Sequence, residues 1–393
     1  MDKKLKILFV ISSYIQSGSS ANIRNNALIE GLCDNGHIVD VLSREPDIEF
    51  GRCDLSMKLP PVRNFIYIIK KANEVNSRQN SISNENKKNK SKFFQIALKI
   101  YNSISIWDTW YFKVKRIKKI DLKDDYDLMI SSSDPKSSHY LAKKIYKQNK
   151  SKIGRWIQYW GDPFVLDINQ SAGSKARIKM VEKSLIKLAD KVVYVSPFTL
   201  EKQMQIYKKY SNKMTFLPIP VRKKEITYNE TTINSSLKLG YFGAYKKRDR
   251  DILPLYKAIN NSKHTLEIIG PSDVILESTK NVIVHEQVRV PVSEVEKKEQ
   301  EVDVLICICN RSGTQIPGKA YHYAMTNKII LLVLDGENAS RIKEYFSKYN
   351  RYVFSDNNEK SILDALNNIS NDSSLKTPCL SFSPQSIAKD FIM

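Results

Sequence analysis

The sequence switches repeatedly between short unbroken apolar runs and amphipathic stretches of helical length, and this alternation limits the possible folds more than any other feature. LKILFVI (Leu5 to Ile11) is a continuous apolar run, as a strand buried on both faces requires. The loop SSYIQSGSS follows, and ANIRNNALIEGLCDNG then reads as a helix stopped by Asn35 and Gly36. HIVDVLS returns as a strand, completing one βαβ unit and hence a parallel pair.

The pattern resumes further on. YDLMISS, IGRWIQYW, DKVVYVS and KMTFLPI read as strands; PKSSHYLAKKIYKQN, SKARIKMVEKSLIKLA and PFTLEKQMQIYKKY lie between them as helices. PIPVRKKEITYNETTINSS loses the period and turns polar, which marks a domain linker. A second series starts at LKLGYFGAY. Its strands are HTLEIIG, NVIVHEQV, VDVLICIC and KIILLVL, and its helices RDILPLYKAI, PVSEVEKKEQ, PGKAYHYAMTN and EKSILDALNNI. The expected fold class is therefore α/β, with two doubly wound domains. Residues 1–218 form the first, 219–376 the second, and 377–393 a tail that returns to the first. Ligands of such sheets bind at the carboxyl ends of the strands, so two sheets facing each other enclose a cleft.

The 393 residues suffice for two such cores. The net charge of +21 points to a polyanionic partner: nucleic acid, an anionic membrane face or phosphorylated substrates. Five cysteines include no C-x-x-C pair, and Cys307 and Cys309 read as small core residues on one strand face. The N-terminal MDKKLKILFVISS imitates a signal peptide, but its apolar core is only about seven residues long, so it reads as a first strand. No run of about 18 apolar residues is present to span a membrane.

Residues 61–123 interrupt the first domain with 15 Lys/Arg against 4 Asp/Glu, about half of the net charge. Their middle, NSRQNSISNENKKNKSK, reads as a loop. The flanks FIYIIKKA and FFQIALKIYNSISIWDTWYFKVKRIKK mix aromatics with lysines. They read either as two helices packed on the first domain or as a basic amphipathic face for an anionic membrane.

Two stretches carry anion-binding chemistry. In RSGTQIPGKAYHYAMTNKIILLV, a polar turn after a strand leads into a helix with Pro317 in its first turn, where free N–H groups and a partial positive charge face the strand end. Lys319 opposes that dipole and therefore calls for a compensating anion, unless it is simply solvated. In YFGAYKKRDRDI, Gly243 allows close backbone approach, and Lys246, Lys247, Arg248 and Arg250 follow. Both stretches end strands of one sheet, which suits a diphosphate.

Together these features resemble the GT-B glycosyltransferases, in particular the family-4-like bacterial enzymes of surface-polysaccharide type. SGTQIPGKAYHYAMTNKIILLV looks like that family's donor-binding helix and its following strand. The resemblance implies pyrophosphate binding by Gly313, Thr314, Gln315 and Lys319. YFGAYKKR looks like the family's glycine turn, with Arg248 where the usual lysine stands, Lys247 beside it, and Ala244 where an arginine is common. ISSYIQSGSS resembles the first-domain glycine loop that approaches the reacting sugar, which implicates Ser17, Gly18 and Ser19. The family's retaining members carry a Glu-x7-Glu pair; the matching positions here are Thr314 and His322. His322 would hold the nucleoside ribose, and the loss of the first glutamate puts retaining chemistry in question.

In QYWGDPF, Asp162 follows a strand end and a glycine. It reads as a base for the acceptor hydroxyl or as an Asx-type turn former before Pro163. Trp160 beside it reads as a sugar-stacking ring at the cleft or as core, and His139 as structural. The expected activity is transfer of a sugar from a nucleotide-diphosphate donor to a glycan or lipid-linked acceptor, at the cytoplasmic face of the membrane, with no cofactor and no metal. The rivals are a sugar-nucleotide epimerase of the same architecture and a non-catalytic basic binding protein. A nucleic-acid partner is not expected, because the charge is concentrated in one insertion.

Overall fold

A computed structural model describes residues 3–46, 53–69, 106–167, 174–222, 236–285, 290–369 and 373–393. The first half contains β1 (Lys6–Val10), α1 (Ser20–Asp34), β2 (Ile38–Arg44), β3 (Asn64–Ile69), α2 (Tyr111–Arg116), β4 (Tyr126–Ser132), α3 (Ser137–Gln148), β5 (Ile153–Trp160), α4 (Lys175–Ile186), β6 (Lys191–Tyr194), α5 (Pro197–Ile206) and β7 (Met214–Phe216). Its strands form one parallel sheet in the order β3-β2-β1-β4-β5-β6-β7. The apolar run of the first strand is buried throughout from Ile7 to Val10, as its central place between β2 and β4 requires.

The second half contains β8 (Lys238–Phe242), α6 (Leu253–Asn260), β9 (Thr265–Ile269), β10 (Val282–Val284), α7 (Val292–Glu301), β11 (Val304–Ile308), α8 (Gly318–Ala324), β12 (Ile329–Leu334), α9 (Ala339–Ser347), β13 (Val353–Asp356), α10 (Glu359–Asn367) and α11 (Pro384–Ile392). Its sheet is also parallel, in the order β10-β9-β8-β11-β12-β13. Strand order reverses beside β1 in the first sheet and beside β8 in the second. Those two reversals are where a doubly wound sheet opens a crevice.

The two halves share one apolar core, which runs from Phe9, Val41 and Tyr159 to Tyr321, Phe346 and Phe382. The C-terminal α11 lies on α1 of the first half. Gly31 has no room for a Cβ there, because the Pro384 carbonyl presses against it. Phe391 meets the Tyr159 ring edge-on at 5.1 Å. Arg155 and Lys191 donate to the carbonyls of Ile392 and Phe391 at 2.9 and 3.1 Å, placing cations at the negative end of α11.

Two readings of the sequence need correction. The stretch beginning at Phe65, read as part of a helix, opens as the edge strand β3, which is paired with β2. Its aromatic and β-branched residues suit a pleated edge, and the buried Asp40 fastens it. Asp40 accepts from Arg63 Nε at 2.9 Å, Asn64 Nδ2 at 3.1 Å and Tyr126 Oη at 2.7 Å. The region after KIILLVL holds α9 and β13, which the sequence pattern did not reveal. The lysine-rich middle of the insertion lies outside the described residues, as does most of the linker.

Candidate functional site

A cavity of about 330 Å³ opens between the carboxyl ends of the two sheets. Its first wall comes from the start of α1 (Ser20, Ala21, Arg24), the turn after β4 (Asp134) and the loop after β5 (Gly161, Asp162, Asp167). Its second wall comes from the turn after β8 (Ala244, Lys246, Asp249, Arg250) and the turn from β11 into α8 (Asn310, Gln315, His322 among them).

The first wall is acidic and tightly built. Lys136, 8% exposed, bridges Asp134 at 3.1 Å and Asp167 at 2.6 Å. Asp162 keeps a strip of surface toward the cavity but is otherwise surrounded by protein. Among the described residues it has no hydrogen-bond donor. Burial, and then the charge of Asp134, push its carboxyl up to about 6. The loop that carries it is held from below by the fully buried Glu182. That carboxylate accepts from the N–H groups of Phe164 and Val165 at 2.9 and 3.2 Å and from Tyr207 Oη at 2.8 Å. Arg24 donates to the Ser133 carbonyl, and its guanidinium lies 4.7 Å from the Tyr159 ring centre. A side chain at Gly161 would displace that guanidinium.

The second wall is basic. Arg250 is aimed by two contacts, from Nε to Asn310 Oδ1 at 2.7 Å and from Nη1 to the Ala244 carbonyl at 3.2 Å. Lys246 lines the cavity beside it. Lys247 and Arg248 are exposed and do not line the cavity. Gly243 has open space where a Cβ would stand; the crowded glycine is Gly270, whose Cβ would strike the Gly243 carbonyl.

The remaining residues singled out in the sequence are placed as follows. Gln315 and His322 line the cavity. Lys319 does not; its Nζ lies 2.6 Å from Glu299 Oε1 of α7, which is the compensating anion. Gly313 takes a positive φ of 85° and accepts from Asn338. Thr314 joins the two halves: its carbonyl accepts from Ser196 Oγ at 2.5 Å and its hydroxyl lies 2.7 Å from Thr199 Oγ1. Ser19 caps α1, accepting from the Asn22 N–H at 3.2 Å, and Ser17 accepts from Asn22 Nδ2 at 2.6 Å. These bonds fix the turn that presents Ser20 and Ala21, while Gly18 faces Asp54 and Val292. The reading of Trp160 as a cleft residue is corrected. Its ring is fully buried against His139 at 4.0 Å, because the last residue of β5 points into the core.

Sequence reasoning did not select Arg24, Asp134 or Asp167, and from the basic turn it chose Lys247 and Arg248 over Lys246 and Arg250. Asp134 and Asp167 did carry a signal, since each follows soon after a strand at the carboxyl edge of the sheet. Among the described residues no group of three His, Cys, Asp or Glu side chains is arranged to hold a metal ion.

No family model matches the chain, and no curated protein sequence does. Solved structures do match. The catalytic domain of starch synthase IV from Arabidopsis thaliana, bound to ADP and acarbose, superposes with a TM-score of 0.60 at 10% identity, covering 99% of this chain and 98% of that one. A glycosyltransferase from Rickettsia africae gives 0.54 at 12% identity, covering 99% and 97%. A structure named as a UDP-N-acetylglucosamine 2-epimerase from Listeria monocytogenes gives 0.50 at 8%, covering 99% and 95%. The chain therefore has the GT-B fold, with its two parallel sheets facing across a cleft.

Proposed function

We propose that the chain is a glycosyltransferase that moves a sugar from a nucleoside-diphosphate donor to an acceptor hydroxyl. One observation carries this reading: Asp162, a carboxyl with no hydrogen-bond donor among the described residues, lines one cavity with Lys246 and Arg250. In the reaction the acceptor oxygen bonds to the sugar's anomeric carbon as the bond to the diphosphate oxygen breaks. Asp162 takes the hydroxyl proton, and the two cations neutralise the charge growing on the leaving diphosphate. Front-side participation by residue 314 is not part of this scheme, because Thr314 is bonded to α5. The outcome is inversion. Protein cations carry the charge neutralisation, so transfer is expected to survive chelation of divalent metal.

We further propose that the acceptor is a glycan or lipid-linked intermediate of bacterial surface-polysaccharide synthesis, met at the cytoplasmic face of the membrane. Support comes from the described end of the basic insertion. There α2 carries Lys113, Lys115 and Arg116 with the half-exposed Phe112, and Trp107 packs edge-on to Phe164 of the Asp162 loop at 5.0 Å. No described helix is long and apolar enough to cross a membrane. Flotation with anionic vesicles tests the contact: binding should weaken with salt, and equal binding to neutral vesicles would count against it.

The test of the central reading is sugar transfer by Asp162→Asn with donor affinity measured in parallel. Transfer should fall by about 100-fold while nucleotide binding persists. A variant that transfers within a few-fold of the wild type ends the assignment. An epimerase would convert the sugar nucleotide without any acceptor; the expectation here is no conversion.

A further inference from the structure

We propose that the sugar end of this cleft selects by charge, accepting neutral or amine-bearing sugars and rejecting carboxylate-bearing ones. The proposal rests on the nucleotide-sugar reading above and adds the class of sugar. Three carboxylates face the cavity from the first wall: Asp134, Asp162 and Asp167. Lys136 bridges two of them, Asp134 and Asp167, from behind and does not line the cavity. A ligand therefore meets the carboxylates and not the ammonium. Asp162 has no donor among the described residues. The wall's own cation, Arg24, is 5% exposed and is turned to the Ser133 carbonyl and the Tyr159 ring. Among its described residues this wall thus lines the cavity with three carboxylates against one guanidinium that is turned away.

The opposite wall sets Lys246 and Arg250 against Asp249. A diphosphate goes to the cations, and the sugar attached to it is left against the carboxylates. Sugar hydroxyls donate to carboxylates, and an ammonium does so with charge assistance. A sugar carboxylate instead meets like charge in a space partly closed to water, where charges act more strongly on each other than in bulk. Rejection by an uncompensated like charge is a general source of specificity.

Calorimetry on the full chain tests this with UDP, UDP-glucose and UDP-glucuronate, and with GDP, GDP-mannose and GDP-mannuronate. The series is chosen by whichever diphosphate binds. The uronate ester is expected to bind at least about 10-fold more weakly than its neutral counterpart. Asp167→Asn removes one carboxylate and one of the two partners of Lys136, so it should narrow the gap by improving the uronate alone. If that variant does not fold, the wild-type comparison decides by itself. Equal or tighter binding of the uronate, with the nucleoside diphosphate bound normally, overturns the proposal and leaves the nucleotide-sugar reading standing. A gap unchanged in a folded Asp167→Asn overturns its assignment to this wall. Binding of neither diphosphate overturns the reading and the proposal together.

Discussion

The two walls of the cleft are built on the same scaffold, a parallel sheet with turns at its carboxyl edge, yet they differ in sign and in construction. The first wall is acidic and stiffened from within: Lys136 sits between Asp134 and Asp167, and buried Glu182 grips the backbone of the Asp162 loop. The second wall is basic and closer to solvent: of its two lining cations, Arg250 is held by two contacts and Lys246 is exposed. A group that must move a proton needs a fixed position and a tuned pKa. A group that neutralises a diphosphate needs chiefly charge within reach. The difference in construction follows that difference in task.

The sharpest way to break this contrast is through the pH dependence of transfer. If Asp162 works as a base, it must be ionised, so kcat/KM should rise with pH through about 6 and then level. Asp162→Asn should lose about 100-fold and lose the rising limb as well. A limb that survives in the variant would move the titrating group elsewhere on the wall.

The second wall is tested by Arg250→Ala. A charged hydrogen bond to phosphate contributes roughly 1.5–3 kcal/mol, so the affinity for a nucleoside diphosphate should fall about 10- to 100-fold. Calorimetry measures it. Unchanged affinity would mean that Arg250 only braces Asn310.

Much of the frame was legible, because strands buried on both faces must be apolar and the helices between them must be amphipathic. The two parallel sheets and the turns at the strand ends follow from that. The site was less legible, because it is made by residues that meet only in space. Arg24 sits in a helix among the polar Asn22, Asn25 and Asn26, and its burial depends on Tyr159 and Ser133, more than a hundred residues away. Lys319 announced its need for an anion, but nothing in the sequence showed that Glu299 of α7 would supply it. The edge strand β3 was misread because a short aromatic run followed by lysines suits either period.

The same substitution at Asp162 sharpens the comparison in a second currency, stability. Its carboxyl is raised from 3.8 to about 6 in the folded chain. Between those values the folded state holds a proton that the unfolded state has released, so stability falls as pH rises through the window and is flat above it. Asp162→Asn removes that loss. The variant should match the wild type near pH 4 and exceed it by on the order of 2 kcal/mol at pH 7. Denaturant midpoints at the two pH values check this. No added stability at pH 7 would mean that water in the cleft solvates the carboxylate well enough to remove the strain.

The smallest effect is expected two residues before Arg250, at Arg248. Both arginines belong to YKKRDRD, and in the sequence Arg248 has the stronger claim by its resemblance to the position of the family's lysine. Arg248 is exposed and lies off the cavity, whereas Arg250 lines it and is oriented by Asn310 and Ala244. An exposed charge acts on a bound diphosphate only through screened attraction, about 0.5 kcal/mol or less at physiological salt. Arg248→Ala should therefore weaken nucleoside-diphosphate binding by about twofold at most, with the remainder vanishing as salt is raised. A loss as large as that of Arg250→Ala would mean that the turn after β8 closes over the ligand and brings Arg248 to the phosphates. The second wall would then be a moving element facing a fixed one.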